Sequence, residues 1–179
     1  MPIIETPNAG LHGRWQDVIR DASGRVIDQS KIRPNAIVVD CRRILASFIA
    51  GTPALGIQGM QFGAGLPNWD LNGPPTASAT QVTLTDPNPY LVPTSSLQID
   101  FIDDVGTVVA NPTNRLQIVA TLGPGEPGWP DINHVAGSLR EFALVGELNG
   151  APSLINYVTH PVINKDPAST LERTLWLVF

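Results

Sequence analysis

The last ten residues of the chain carry the pattern that most restricts the fold. Side chains alternate between the two faces of a β-strand, and here one face carries Leu171, Arg173, Leu175, Leu177 and Phe179. The other face carries Glu172, Thr174, Trp176 and Val178. The second half of the segment is therefore apolar on both sides, as in a strand that is covered on both faces. This pattern predicts an interior strand over residues 170–179, with Phe179 buried.

Two more strand-like segments precede this one, at residues 139–146 and 154–161. Together the three segments predict the sheet on which the rest of the chain packs. The 179 residues suit one domain, and 16 Gly with 17 Pro favour many short elements joined by turns. We therefore predict a mainly β fold: a two-layer antiparallel β-sandwich of short strands, with a single domain over residues 1–179 and one α-helix near residues 40–50.

The first half of the chain predicts a hairpin and the helix. Residues 14–32 form two strand-like runs around a short turn, in which Gly24 can adopt a positive φ. After Asp40, which we predict to cap the helix, apolar residues recur at helical spacing, and Gly51 ends the pattern. The apolar stripe consists of Cys41, Ile44, Leu45, Phe48 and Ile49. On this stripe Cys41 is expected to be a buried, unreactive core residue, with a nucleophilic role as the alternative.

Alternating apolar residues predict further strands at residues 56–62, 81–85, 96–102 and 114–122. Two loops are rich in turn residues: residues 66–79 lie between the first two of these runs, and residues 123–130 follow the last one. Loops of this length without their own helix or strand usually have a function or become ordered by a partner.

Charge and composition disfavour several classes of partner. The net charge of −5 lacks the clustered Lys and Arg that nucleic acids and anionic membranes attract. No apolar run reaches the roughly 20 residues of a membrane-spanning helix, and the first residues do not resemble a secretory signal. A single cysteine gives no indication of an oxidising compartment. We expect a protein that is made in the cytoplasm, without nucleic-acid binding or membrane insertion.

The usual signatures of catalysis and cofactor binding do not stand out in the sequence. The three histidines have no neighbouring His or Cys at metal-ligand spacing, and no GxSxG nucleophile motif occurs. The glycines around residues 63–65 are not followed by a phosphate-binding pattern. Glu141 and Glu172 are candidate catalytic carboxylates, but their neighbours Arg140 and Arg173 favour ion pairs on a strand face. We predict that the chain is not an enzyme and holds no cofactor or metal.

Three tryptophans lie where a partner could be contacted. Trp69 and Trp129 stand in the two long loops, and Trp15 stands in the hairpin. Binding energy at interfaces concentrates in a few such aromatic anchors. We therefore predict Trp15, Trp69 and Trp129 as partner-contact residues, although Trp15 can equally cover its own core.

Three C-terminal segments form an ordered set, at residues 139–146 (LREFALVG), 155–165 (INYVTHPVINK) and 170–179 (TLERTLWLVF). This set resembles the closing strands of small tail-associated structural proteins of tailed bacteriophages. Residues 35–51 look like the helix of that family and residues 56–65 like its glycine-rich strand. The middle of the chain is unmatched, and the ALV of the first segment stands where the family usually has Gly-Leu-Phe.

The resemblance implies a structural component of a virion tail or baseplate, located in the virion and made in the host cytoplasm. It leaves open whether contractile injection systems share such a part. Its partners would be other tail or baseplate proteins, with the chain present in multiple symmetric copies, and no catalytic residues are implied. The alternative is a receptor- or carbohydrate-binding module of a phage appendage, in which Trp69, Trp129 and Tyr90 would stack on sugars. Clustering of these rings at the surface would favour the alternative.

Overall fold

The structure is a computed structural model that describes residues 10–179. Within these residues it has twelve β-strands and two α-helices. In chain order they are β1 His12–Arg20, β2 Val26–Gln29, β3 Arg33–Ile37, α1 Val39–Ala50, β4 Ala54–Gly63, α2 Trp69–Asn72, β5 Tyr90–Pro93, β6 Leu97–Ile102, β7 Val108–Val109, β8 Arg115–Leu122, β9 Ser138–Leu148, β10 Ala151–Leu154, β11 Asn156–Asn164 and β12 Thr170–Val178. The mainly β prediction is confirmed.

All twelve strands belong to one curled sheet with antiparallel pairing. The strand order is β5-β4-β9-β11-β3-β1-β12-β8-β6-β7, with β10 paired to β9 and β2 paired to β1. The short strand β3 joins the two halves, because Arg33–Asn35 pairs with β1 and Ala36–Ile37 pairs with β11. The predicted division into two separate layers is therefore not confirmed, since one hydrogen-bonded path runs through the whole sheet.

The inner faces of both halves share one hydrophobic core. Strands β4 and β9 contribute Met60, Phe62 and Phe142, which meet Ile118 and Leu175 from β8 and β12. Each such side chain stabilises the fold by about 1.5–3 kcal/mol when it is fully buried. Helix α1 closes one end of this core with its buried side chains Cys41 and Ile44.

The hairpin and the helix form where the sequence predicts them. Gly24 has a φ of 82° in the turn between β1 and β2, and Gly51 has a φ of 68° at the end of α1. The predicted cap is wrong: Val38 occupies the N-cap position, and Asp40 lies in the first turn. There the Asp40 carboxylate accepts a hydrogen bond from the Arg43 guanidinium at 2.7 Å. Asp40 thus forms an ion pair with Arg43 on the surface of the helix. No side chain within residues 10–179 accepts a hydrogen bond from the first backbone amides of α1.

The strand predicted at residues 81–85 is not formed. This segment is irregular, and the backbone amide of Thr85 donates to the carboxylate of Glu141. Because a buried side chain satisfies the backbone group, this segment does not need a neighbouring strand.

Strand β12 is interior, as predicted, but the side chain of Phe179, which follows it, is not buried. Strand β12 pairs with β1 on one side and with β8 on the other. Phe179 lies one residue beyond the last paired position and is 41% exposed. Its backbone is held by hydrogen bonds that its N–H and its carbonyl make with Asn114. The prediction of a buried Phe179 is therefore wrong.

A buried ion pair crosses the centre of the sheet. Asp17 on β1 lies directly opposite Arg173 on β12, and its carboxylate accepts two hydrogen bonds from the guanidinium, each 2.6 Å long. Arg173 is fully buried and Asp17 nearly so. The expected ion pair between Glu172 and Arg173 is wrong, because neighbouring residues on a strand point to opposite faces.

Aromatic rings and a histidine surround the Arg173 guanidinium. Its central carbon lies 4.0 Å from the ring centroid of Phe142 and about 5 Å from those of Phe62 and Trp15. One of its N–H groups points to His160 Nε2 at 3.2 Å, while His160 Nδ1 donates to the carbonyl of Pro161 at 2.8 Å. Burial, together with the positive charge of Arg173, holds the pKa of His160 well below its usual range. His160 is therefore neutral in the folded protein.

We expect Asp17→Asn to destabilise the protein by about 3–5 kcal/mol, because it leaves the Arg173 charge buried without a counter-ion. Urea unfolding of the variant and its parent measures the difference. Asp28→Asn is the matched control, since Asp28 is exposed on the neighbouring strand and should change stability by less than about 0.5 kcal/mol. A loss below about 1 kcal/mol for Asp17→Asn would contradict the proposed role of the pair.

The depressed pKa of His160 makes stability depend on pH. Below about pH 6.5 the unfolded chain binds a proton at this histidine that the folded protein does not. The free energy of unfolding should therefore fall by about 1.4 kcal/mol per pH unit as the pH drops below 6.5, down to the folded pKa. We expect His160→Gln to remove this contribution and His12→Gln to keep it, as measured by urea unfolding at pH 7, 6 and 5. Parallel profiles for His160→Gln and its parent would contradict the assignment.

Candidate functional site

Two long loops flank the sheet, and we call them loop 64–89, which contains α2, and loop 123–137. Loop 64–89 covers the outer side around β9 and β11, whereas Trp129 of loop 123–137 packs against the main core. Loop 64–89 brings Ala77 and Leu84 against the outer faces of Val145 and Tyr157, in a second and smaller hydrophobic cluster. This cover explains why β9 is buried on both faces from Ser138 to Gly146.

Glu141 on β9 holds loop 64–89 from inside the protein. Its fully buried carboxylate accepts hydrogen bonds from the backbone amides of Thr85 at 3.0 Å and Asp86 at 2.7 Å. It also accepts a hydrogen bond from the hydroxyl of Tyr157 at 2.6 Å. Burial, and then the carboxylate of Glu141, raise the pKa of Tyr157, so that the phenol remains a donor. Hydrogen bonds to a charged acceptor are among the stronger ones in proteins.

Asp86 joins the two loops. Its buried carboxylate accepts a hydrogen bond from the backbone amide of Ala64 at 2.8 Å and lies 3.0 Å from Nε2 of His134 in loop 123–137. The other ring nitrogen of His134 lies 2.8 Å from Asp131. Burial alone would raise the pKa of Asp131, but hydrogen bonds from Asn133 and His134 outweigh it and lower this pKa.

Arg140 makes a third polar connection, to helix α2. Its guanidinium donates two hydrogen bonds to the carboxylate of Asp70, at 2.6 and 2.7 Å, and a third to the carbonyl of Ala64 at 2.9 Å. The hydrogen bonds from Arg140 are the largest cause of the lowered pKa of Asp70. The expected pairing of Arg140 with Glu141 is wrong, because Glu141 faces the backbone amides of loop 64–89.

Of the three tryptophans that we predict to contact a partner, two are buried and the third is half-buried. Trp15 is 2% exposed in the main core, and Trp69, at the start of α2 in loop 64–89, is 8% exposed. The ring of Trp69 packs so closely on Gly65, whose φ is 57°, that a Cβ there would lie 2.5 Å from it. The half-buried ring of Trp129 stacks on His134 with centroids 3.8 Å apart. The structure brings none of these rings together, and their contact with a partner stays a prediction.

Three aliphatic side chains on the same two loops are almost fully exposed. Leu71 is 89% exposed, Ile132 is 98% exposed and Val135 is 95% exposed. Sequence reasoning missed these three residues because it weighed aromatic size alone. Their signal in the sequence is that branched aliphatic residues stand inside polar turns: Leu71 follows Asp70, and Ile132 and Val135 flank Asn133 and His134.

An apolar cavity of about 370 Å³ opens between α1 and the sheet. Apart from Asp100 and Gly56, its lining is apolar and comprises Cys41, Ile44, Leu45, Phe48, Ile57, Ile99, Phe101, Leu116, Ile155, Leu177 and Phe179. Cys41 is buried as predicted, and its burial raises the pKa of the thiol to about 11, against a weaker opposing effect of Arg42. The low reactivity of this thiol stays a prediction.

Comparisons of the chain with protein-family models, with curated proteins and with solved structures find no match. Neither helix within residues 10–179 is long and apolar enough to cross a bilayer. In the same part of the chain, no three or more His, Cys, Asp or Glu side chains are placed to hold one metal ion. The resemblance to tail-associated phage proteins stays an expectation from the sequence.

We expect Glu141→Gln to destabilise the protein by about 2–4 kcal/mol, because the amide replaces a charged acceptor that serves three donors. Urea unfolding measures the loss, and limited proteolysis should detect new cleavage within residues 80–89. Glu147→Gln on the same strand is the control, with an expected change below about 0.5 kcal/mol. Equal stability and equal cleavage of the two variants would show that Glu141 does not hold the loop.

Proposed function

We propose that this chain is a structural component of a bacteriophage tail or baseplate, and that it acts through assembly contacts with other proteins. The resemblance at both ends of the chain suggests the class of particle. The observation that carries the proposal is that two long loops are held by buried polar side chains and yet expose large apolar ones. Leu71, Ile132 and Val135 stand almost fully in solvent on these loops.

Fixed loops with exposed apolar side chains suit an assembly surface. A loop that is ordered before binding loses less conformational entropy when a partner binds. Glu141, Asp86 and Arg140 hold the loop backbones in place through short hydrogen bonds. Burial of the exposed aliphatic side chains by a partner then contributes about 25 cal/mol per Å² of apolar surface, from which the cost of association is subtracted. In this proposal the carboxylates and His134 serve the architecture of the loops, and the protein is not an enzyme.

The second candidate is a receptor- or carbohydrate-binding module. A sugar-stacking platform needs exposed aromatic faces. Trp69 is buried, Trp129 has one face covered by His134, and the hydroxyl of Tyr90 donates to Glu126 at 2.8 Å. The rings are thus engaged within the protein, which supports assembly over glycan binding.

We expect Leu71→Asp and Ile132→Asp to fold with stability within about 1 kcal/mol of the parent, because both side chains are exposed. Both should reduce incorporation into tail particles at least tenfold, because a charge enters an apolar contact. The measurement is immunogold electron microscopy of phage whose genome encodes the variant, in which the labelled tails are counted. Val105→Asp, in the exposed turn between β6 and β7, is the control and should incorporate normally.

Two outcomes would contradict the proposal. One is normal incorporation of both loop variants, and the other is the absence of the parent chain from purified tails. Tight binding of a simple sugar by the purified protein would favour the receptor-binding candidate.

A further inference from the structure

A cleft opens where the sheet divides between the hairpin of β1 and β2 and the second half of β11. Strand β3 joins the two sides only where Ala36 and Ile37 pair with β11. Within residues 10–179, β11 has no neighbour on this side other than β3. The gap between β2 and residues 160–163 is a cleft of about 460 Å³, which we call the hairpin cleft. Since a cavity of about 150 Å³ can hold benzene, the hairpin cleft has room for roughly ten non-hydrogen atoms.

The floor of the hairpin cleft consists of buried side chains of the core. Trp15 and His160 are each 2% exposed and Asp17 is 3% exposed, and all three line the cleft. The Asp17 carboxylate already has Arg173 as its counter-ion, and His160 is neutral. The floor therefore brings no unpaired charge to the cleft. Its walls are apolar on the side of the strands, with Ile19, Pro161, Val162 and Ile163.

Two cationic side chains lie at the mouth of the hairpin cleft. Lys31 and Arg33 are exposed and line it. Arg33 lies opposite Trp15 in the pairing of β3 with β1, and its guanidinium carbon is 5.7 Å from the centroid of the Trp15 ring. After burial and Arg173, the positive charge of Arg33 is a further cause of the lowered pKa of His160. The Arg33 guanidinium therefore faces the cleft.

The mouth has an excess of one positive charge. Asp28 is the one carboxylate there, and its Oδ1 accepts a hydrogen bond from the backbone amide of Gln29 at 2.9 Å. Lys31 and Arg33 thus outnumber it. Within the described part of the chain, neither cation takes part in a hydrogen bond or an ion pair. Both remain available to an anion.

This combination of groups suits a carboxylate on an apolar body. The planar fork of an Arg side chain matches the two oxygens of a carboxylate, and a Lys ammonium adds a second donor. A dianion suits the cleft less well, because Asp28 leaves a net charge of only one. Pockets of this size bind small molecules through apolar walls and a few placed polar groups.

We propose that the hairpin cleft binds a small organic acid, with its carboxylate held by Lys31 and Arg33 and its aliphatic body against Trp15 and residues 161–163. The inference goes beyond the proposed function and does not depend on it, because all the groups that contact the acid belong to one copy of this chain. The purified protein should therefore bind such an acid without any tail protein.

Three compounds with the same alkyl chain test the proposal: hexanoate, hexanol and hexylamine, which differ in charge at neutral pH. Each is titrated into the purified protein, and the ring protons of the histidines are followed by NMR. The signal of His160 is identified by its loss in His160→Gln. Hexanoate should shift this signal to saturation with a Kd at least fivefold lower than that of hexanol, and hexylamine should bind most weakly. The ring signals of His12 and His134, which do not line the cleft, should not move.

Four variants assign the charge preference to the mouth of the cleft. Lys31→Gln and Arg33→Gln should each weaken hexanoate at least threefold and leave hexanol within twofold of the parent. Asp28→Asn should strengthen hexanoate about twofold or more, because it removes a like charge beside the bound anion. Arg42→Gln is the control, since it removes the same charge from the exposed face of α1 and should change neither affinity. All four side chains are exposed, and circular dichroism checks each fold.

Equal affinities of the parent for hexanoate and hexanol would overturn the inference. So would unchanged hexanoate binding in both Lys31→Gln and Arg33→Gln, or a shift of the His134 signal in place of the His160 signal. These outcomes differ from failure of the proposed function. A chain that binds hexanoate but is absent from tails contradicts the tail assignment alone, and a chain that is found in tails but does not bind hexanoate contradicts this site alone.

Discussion

The ion pair between Asp17 and Arg173 constrains the whole sheet. A guanidinium without access to water is strongly unfavourable unless a carboxylate meets it in good geometry, and here both hydrogen bonds are 2.6 Å long. This requirement fixes the register of β1 against β12, because a shift by one residue would move Arg173 to the other face. The rings of Phe62 and Phe142, from the other half of the sheet, pack against the same guanidinium. The guanidinium of Arg173 thus contacts side chains from both halves of the sheet.

The same physical rule organises the outer side of the sheet. Backbone groups in a covered loop need hydrogen-bond partners, and Glu141, Asp86 and Arg140 supply them where a strand or helix would otherwise do so. Since these three side chains are buried and their hydrogen bonds are short, the loops are part of the folded body. Rigid loops can then present aliphatic side chains such as Ile132 to a partner with little further loss of entropy. Stability and the proposed assembly function therefore depend on one set of polar contacts.

Local patterns in the sequence predicted the local structure well. The alternation over residues 170–179 predicted an interior strand, the i, i+3, i+4 spacing predicted α1, and Gly24 and Gly51 adopt the positive φ values expected of them. These features depend on residues that are close in sequence. The exposure of the Phe179 side chain was not predicted, because it depends on the residue at which the pairing of β12 ends.

The polar contacts could not be predicted, because they join residues far apart in the chain. Asp17 and Arg173 are 156 positions apart, and Asp86 and His134 are 48 apart. In the sequence, Arg173 has a nearer carboxylate beside it, and the carboxylate nearest to His134 is that of Asp131, which contacts its other ring nitrogen. The continuous sheet escaped prediction for the same reason, since only the pairing of the short strand β3 with both β1 and β11 joins its halves.

Amide hydrogen exchange of the native protein tests directly whether the loops are fixed by buried polar contacts. The account predicts that the amides of Ala64, Thr85 and Asp86 exchange nearly as slowly as those of β9, because each donates to a buried carboxylate. The exposed turn at residues 21–24 serves as the fast-exchanging reference within the same molecule. Exchange of these three amides at the rate of that turn would contradict the account, since loops that open freely present no preformed surface.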